Sequence, residues 1–193
     1  VDFILNVVLN SKGEIVKAFA GDWKEAFYEG VKLVDEMYKV PVERKADIVL
    51  VSCGGHPFDI DLYQAYKAVD GALQIVKRRG VIVWVAECSQ GHGNQVFYDW
   101  MRKYKSLKEV ERAIKRKFIL GGHKAYYLLK ALEKVNIILV SVMPDYYAVD
   151  VFKLRTARSV NEALDEAFRI AGKNAKVWAI PYGNITEPVL KGD

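Results

Sequence analysis

With 193 residues, 51% of them hydrophobic, the chain is long enough for one α/β domain with a sizeable core. No run approaches the roughly 18 consecutive apolar residues of a membrane-spanning helix, no basic-then-apolar leader opens the chain, and two widely spaced cysteines, Cys53 and Cys88, make no disulfide framework; a soluble protein of a reducing cytoplasm is expected. The net charge of +5 favours anionic ligands, but the densest basic stretch, 102–117, contains Glu109 and Glu111 and sets Leu107, Val110 and Ile114 at helical spacing, so it reads as a solvated helix and not as a nucleic-acid surface.

The first residues, Val1-Asp2-Phe3-Ile4, are strand-like and lack an initiator Met, which is the expectation for a piece of a longer protein. Residues 3–9 are apolar and β-rich, Asn10-Ser11-Lys12-Gly13 is turn chemistry, and 15–20 is extended again, predicting a hairpin. Gly21-Asp22 caps a helix through Trp23, Phe27, Val31, Val34 and Met37 that stops before Pro41. Beyond it, short apolar runs at 47–52, 81–86, 136–142 and 176–181 alternate with helical patterns at 61–79, 95–105, 106–117, 122–134 and 159–172. Strands with no wet face, alternating with helices, predict a largely parallel sheet in a three-layer α/β sandwich, one domain over 1–193 with the hairpin at its start. The tail after Gly183 is expected to be irregular.

In such a sheet the ligand crevice lies outside the carboxyl ends of the strands. Three loops fall there: 53–59 (Cys-Gly-Gly-His-Pro-Phe-Asp), 87–94 (Glu-Cys-Ser-Gln-Gly-His-Gly-Asn) and 143–147 (Met-Pro-Asp-Tyr-Tyr). After the first loop, Asp59 or Asp61 is placed to cap a helix whose apolar stripe is Leu62, Ala65, Tyr66, Val69, Leu73 and Val76. Tyr63, Gln64 and Lys67 lie off the centre of that stripe, three and four residues apart, so all three can point the same way from its first two turns. A phenol, an amide and an ammonium beside the partial positive charge of a helix start suit the carboxylate and hydroxyl of a small 2-hydroxy acid, and equally any compact anion. Spacing alone also fits three ordinary surface positions and leaves both readings open.

The runs Val1 to Leu9 with Gly13-Glu14, Phe19-Ala20-Gly21-Asp22, Ser52-Cys53-Gly54-Gly55-His56-Pro57, Leu62-Tyr63-Gln64-Ala65-Tyr66-Lys67-Ala68 and Ala86 to Gly93 resemble the carboxy-terminal domain of the lactate racemases that use a nickel-pincer nucleotide. The resemblance covers most of the chain, and its specific element is Tyr-Gln-x-x-Lys. It implies that Gln64 and Lys67 hold the substrate carboxylate, that Tyr63 packs beside the cofactor, and that Gly55 is a further contact to the nucleotide. The implied reaction interconverts the enantiomers of a 2-hydroxy acid by hydride transfer to the cofactor. The cofactor-tethering lysine, the nickel-ligating histidine, the paired catalytic histidines and a substrate-binding arginine belong, in the family, to an amino-terminal domain, and nothing here matches them. The chain alone is therefore expected neither to hold nickel nor to turn over substrate. An epimerase for another hydroxy or sugar acid, and a non-catalytic anion- or nucleotide-binding module, are the alternatives.

Other groupings read as structural. His56, His92, His123, Cys53 and Cys88 show no short ligand-like spacing, and no metal site is expected from this chain. Gly54-Gly55 and Gly91-x-Gly93 match neither GxGxxG nor the P-loop. Gly121-Gly122-His123-Lys124 opens a helix; where some family members have an aromatic residue near this place, His123 is a departure.

Overall fold

The chain starts with an antiparallel hairpin, β1 (Ile4–Leu9) and β2 (Ile15–Gly21), followed by α1 (Trp23–Tyr38) and a short β3 (Lys39–Val42). The computed structural model describes residues 1–192. Next come β4 (Ala46–Ser52), α2 (Leu62–Ile75), β5 (Val76–Val85), α3 (Gln95–Lys103), α4 (Leu107–Arg116), α5 (Gly122–Leu132) and β6 (Asn136–Val140). A π-helical turn (Tyr146–Val151) leads into β7 (Arg155–Ala157), and α6 (Val160–Ala171), β8 (Val177–Ile180) and β9 (Glu187–Leu190) complete the chain.

The expected sandwich is present. Five strands, ordered β7-β6-β5-β4-β8, pair in parallel throughout, with α6 on one face and α2, α3 and α5 on the other. The uniform apolarity of the central strands has a direct cause, because successive side chains alternate between two buried faces. Val81, Val83, Ile48 and Ile138 pack toward α6, whereas Ile82, Trp84, Val49, Val51, Ile137 and Leu139 pack toward the larger helical layer. Asp22, Asp61, Asn94, Ser106 and Ser159 each cap the helix that follows with a side-chain oxygen. Among the described residues no helix is long and apolar enough to cross a membrane.

Two expectations are corrected. The helix read over 61–79 ends at Ile75, and Val76–Gly80 already belong to β5. Arg79 adopts φ +63° there, its N–H donates to the Lys134 carbonyl (2.7 Å), and Lys77 pairs with Asp47 (2.7 Å), so contacts distant in sequence pull the segment out of the helix. The first helix stops at Tyr38, before Pro41 as expected, and Pro41 itself lies in β3. The tail after Gly183 is not wholly irregular, because β9 pairs in parallel with β3. Both are short strands in a two-stranded sheet, where a missing proline N–H leaves no ladder position empty on a central strand. The π-helical turn and β7 were not anticipated from the sequence.

Ile82 is fully buried in the central strand. Ile82→Ala is expected to lower unfolding stability by about 2–5 kcal/mol through lost burial and a residual cavity, read as a shift of the urea midpoint at unchanged slope.

Candidate functional site

At the carboxyl ends of β4, β5 and β6, two loops are joined by main-chain hydrogen bonds. The N–H groups of Cys88, Gln90 and Leu62 donate to the carbonyls of Asp59 (2.8 Å), Ile60 (2.9 Å) and Gly91 (2.9 Å). The Asp61 carboxylate then accepts from the Gln64 N–H (2.7 Å) and caps α2. A third loop is tied in through Ser141, whose hydroxyl donates to the Glu87 carbonyl (2.6 Å). The start of α2 is thus fixed from outside the helix. Gly93 permits this close approach: its φ is +77°, and a Cβ there would overlap the Asp61 carboxylate.

The three predicted residues have different surroundings. Tyr63 is half-buried and meets Phe97 and His123 edge-on, each 6.2 Å between ring centres. Gln64 is half-buried one residue on. Lys67 is exposed and borders a cavity of about 560 Å³ between α2, the hairpin end at Leu9 and the 183–187 turn; Tyr63 and Gln64 do not line it. Gly55 has φ +85°, a turn conformation, with open space where a Cβ would lie.

What links Tyr63 to Lys67 is Lys124, a residue the sequence reading treated only as part of a helix opening. It is the one buried charged residue among those described, 8% exposed, and among them its ammonium makes no hydrogen bond or ion pair. Its Nζ instead lies over the rings of Tyr66 (4.8 Å) and Tyr63 (5.6 Å), an arrangement that offsets part of the cost of burying a cation. Burial pushes the Lys124 pKa down; Asp70 opposes that shift and the nearby Lys67 charge adds to it. Asp70 keeps much of its surface in solvent, yet desolvation raises its pKa against the pull of Lys124 and of the nearby Tyr66 hydroxyl. The signal was available in the sequence: Lys124 stands four residues before Leu128, on the apolar stripe of α5.

His123 belongs to the same group. Its Nδ1 accepts the Gly121 N–H (3.3 Å), which assigns the proton of the neutral ring to Nε2. Burial and the Lys124 charge lower its pKa. Its ring stacks on Phe118 and meets Tyr127 edge-on. The other histidines lie elsewhere: His56 is exposed in its loop and His92 stacks on Tyr98 (4.7 Å). Cys53 and Cys88 are buried thiols that burial pushes up to about 11 and about 12, poor ligands near neutral pH because the thiolate is the metal-binding form. Among the described residues no three His, Cys, Asp or Glu side chains are grouped to hold a metal ion.

The profile of the lactate racemase C-terminal domain family matches residues 42–186. The chain is 35% identical over 186 residues to a lactate racemase of Thermoanaerobacterium thermosaccharolyticum and 33% identical over 185 residues to one of Lactiplantibacillus plantarum, with 94% of the chain and 43% of each relative covered. The chain therefore spans less than half the length of the curated relatives it matches. The solved structure of the lactate racemase apoprotein from T. thermosaccharolyticum superposes with a TM-score of 0.87 at 33% identity, over 98% of this chain and 46% of that one. A Thermotoga maritima structure at 17% identity and a TM-score of 0.65 shares the fold.

Two measurements check this geometry. Gly93→Ala is expected to destabilise the fold by about 1–3 kcal/mol, since a side chain at positive φ must displace the Asp61 cap; thermal unfolding reads it. Asp70 has a folded pKa above its unfolded one, so it contributes stability below the unfolded value that is lost as pH rises through the folded value. Lys124→Met removes a charge that lowers the Asp70 pKa, and the upper end of that window is expected to move to higher pH, followed by the Asp70 carboxyl carbon in NMR titration. An unmoved titration would show that the two charges do not interact.

Proposed function

The chain belongs to the lactate racemase C-terminal domain family, and from that membership we propose that it supplies the substrate-positioning half of a 2-hydroxy acid racemase. The observation that carries the reading is the Tyr63-Gln64-x-x-Lys67 element on the first two turns of a helix pinned at the carboxyl end of a parallel sheet.

Racemisation requires that one acid be held while either face of its C2 meets the reacting group. The carboxylate is the part of the substrate that does not change, so it is the natural handle. Lys67 provides the charge and Gln64 an amide donor for a carboxylate at the helix start, where the peptide dipoles add to the attraction. Tyr63, braced edge-on by Phe97 and His123, forms a rigid wall beside that handle. Anchoring one end while leaving C2 free is positioning catalysis.

Among the described residues the donor set does not fit a metal centre. In this reading the nickel-pincer nucleotide is held by the amino-terminal part of the parent protein, and when bound it supplies the hydride acceptor; Tyr63 and Gly55 are the residues of this chain that would face it. Exposed apolar side chains from separate loops at the same end, Phe58, Phe118, Leu120, Val142, Tyr146 and Tyr182, support completion of the site by another surface.

In the full-length parent, Lys67→Ala and Gln64→Ala are each expected to reduce kcat/KM for lactate racemisation by about ten- to a hundredfold, the worth of one hydrogen bond to a charged group, with the unfolding midpoint unchanged. Loss of optical activity over time is the assay. Wild-type rates in both variants would contradict the assignment and favour a binding module. The isolated chain of residues 1–193 is expected to show no turnover.

A further inference from the structure

Residues 1–41 leave an unusual amount of apolar surface in water. Twelve of the twenty-four large apolar side chains exposed among the described residues fall between Val1 and Val40. The hairpin has two faces, and α1 covers only one. Phe19 lies against Gly30 of α1, and Ile4 and Asn6 share a cleft with Trp23 and Phe27. The pairing Leu5↔Ala20, Val7↔Ala18 and, past a bulge, Leu9↔Ile15 puts Leu5, Val7, Leu9, Ile15, Ala18 and Ala20 on the opposite face. All six are exposed, Leu5 by 68%, and none is charged. A two-stranded hairpin is marginal in water without a third layer or strand.

We propose that this bare face is a docking surface for the amino-terminal part of the parent polypeptide, so that the hairpin and α1 pack with that part and the carboxy-terminal domain proper begins with β3, which pairs with β9. Two observations select this occupant. The family profile starts at residue 42, just past α1, which ends at Tyr38, yet similarity to full-length lactate racemases covers 94% of the chain. Those relatives are also more than twice the length matched, so more than half of each lies outside it. Size argues against a second copy. Two strands of about six residues present roughly 200 Å² at the usual rise and spacing, well below the roughly 800 Å² per partner of a stable association. A covalently connected neighbour needs far less area, because its effective concentration is already high.

The proposal goes beyond the substrate-positioning reading and stands without it. Its test is a photo-reactive amino acid at Leu5, and separately at Val7, in the full-length parent, irradiated as a mixture of isotope-labelled and unlabelled protein and mapped by mass spectrometry. Cross-links within one copy to peptides amino-terminal to this chain are expected. Mixed-isotope cross-links, cross-links confined to residues 42–192, or probe quenched by water would each overturn it. In parallel, Leu5→Asp in the parent is expected to lower the unfolding midpoint by several degrees and to speed proteolytic cleavage within residues 1–41; no change in either would also overturn it.

Discussion

Where α2 begins decides what the carboxyl end of the sheet can do. A helix start is ordinarily free to fray, with its first N–H groups unpaired. Here it is held by the main chain of the loop after β5, through the Leu62–Gly91 bond and the two bonds that flank it, and by the Asp61 cap. The residues so positioned follow at once, Tyr63 and Gln64 on the first turn and Lys67 on the second. A positioning function needs a platform that does not move relative to the sheet, and backbone bonding between loops supplies one with little dependence on side-chain rotamers.

The second constraint is the buried cation. Lys124 sits over two tyrosine rings, and the charges of Asp70 and Lys67 act on its titration in opposite directions. A solvated lysine would lose nothing by moving away; a buried one is held at its aromatic faces. The Tyr63 ring is thereby fixed from behind by Lys124 and from the sides by Phe97 and His123. The same few side chains couple the interior of the α2–α5 layer to the surface proposed to meet substrate.

Much of this was legible in the sequence, for reasons that can be named. The hairpin was visible because Asn10 to Gly13 is unambiguous turn chemistry between two β-rich runs, and the parallel sheet because strands such as 81–86 have no polar alternation. The end of α2 was not, because Val76 continues the apolar period and only contacts with Asp47 and Lys134 extend the next segment. β3 and β9 pair across more than 140 residues, a separation that no local pattern encodes. The Tyr63, Gln64 and Lys67 spacing was readable, but their surroundings were not, since those of Tyr63 are set by Phe97 of α3 and His123 of α5. The group around Lys124 escaped because a lysine in a Gly-Gly-His-Lys helix opening reads as solvated unless its place on the apolar stripe is weighed.

The chain emerges as a scaffold with two unfinished surfaces, an apolar rim around the α2 start and an apolar hairpin face remote in sequence from it. Its central assignment is that a substrate carboxylate is received at the mouth of α2. The most direct measurement is a crystal structure of the cofactor-loaded parent with a 2-hydroxy acid bound. The account predicts carboxylate oxygens within about 3.2 Å of both Lys67 Nζ and Gln64 Nε2. A carboxylate held elsewhere, with Lys67 still turned to solvent, would contradict it.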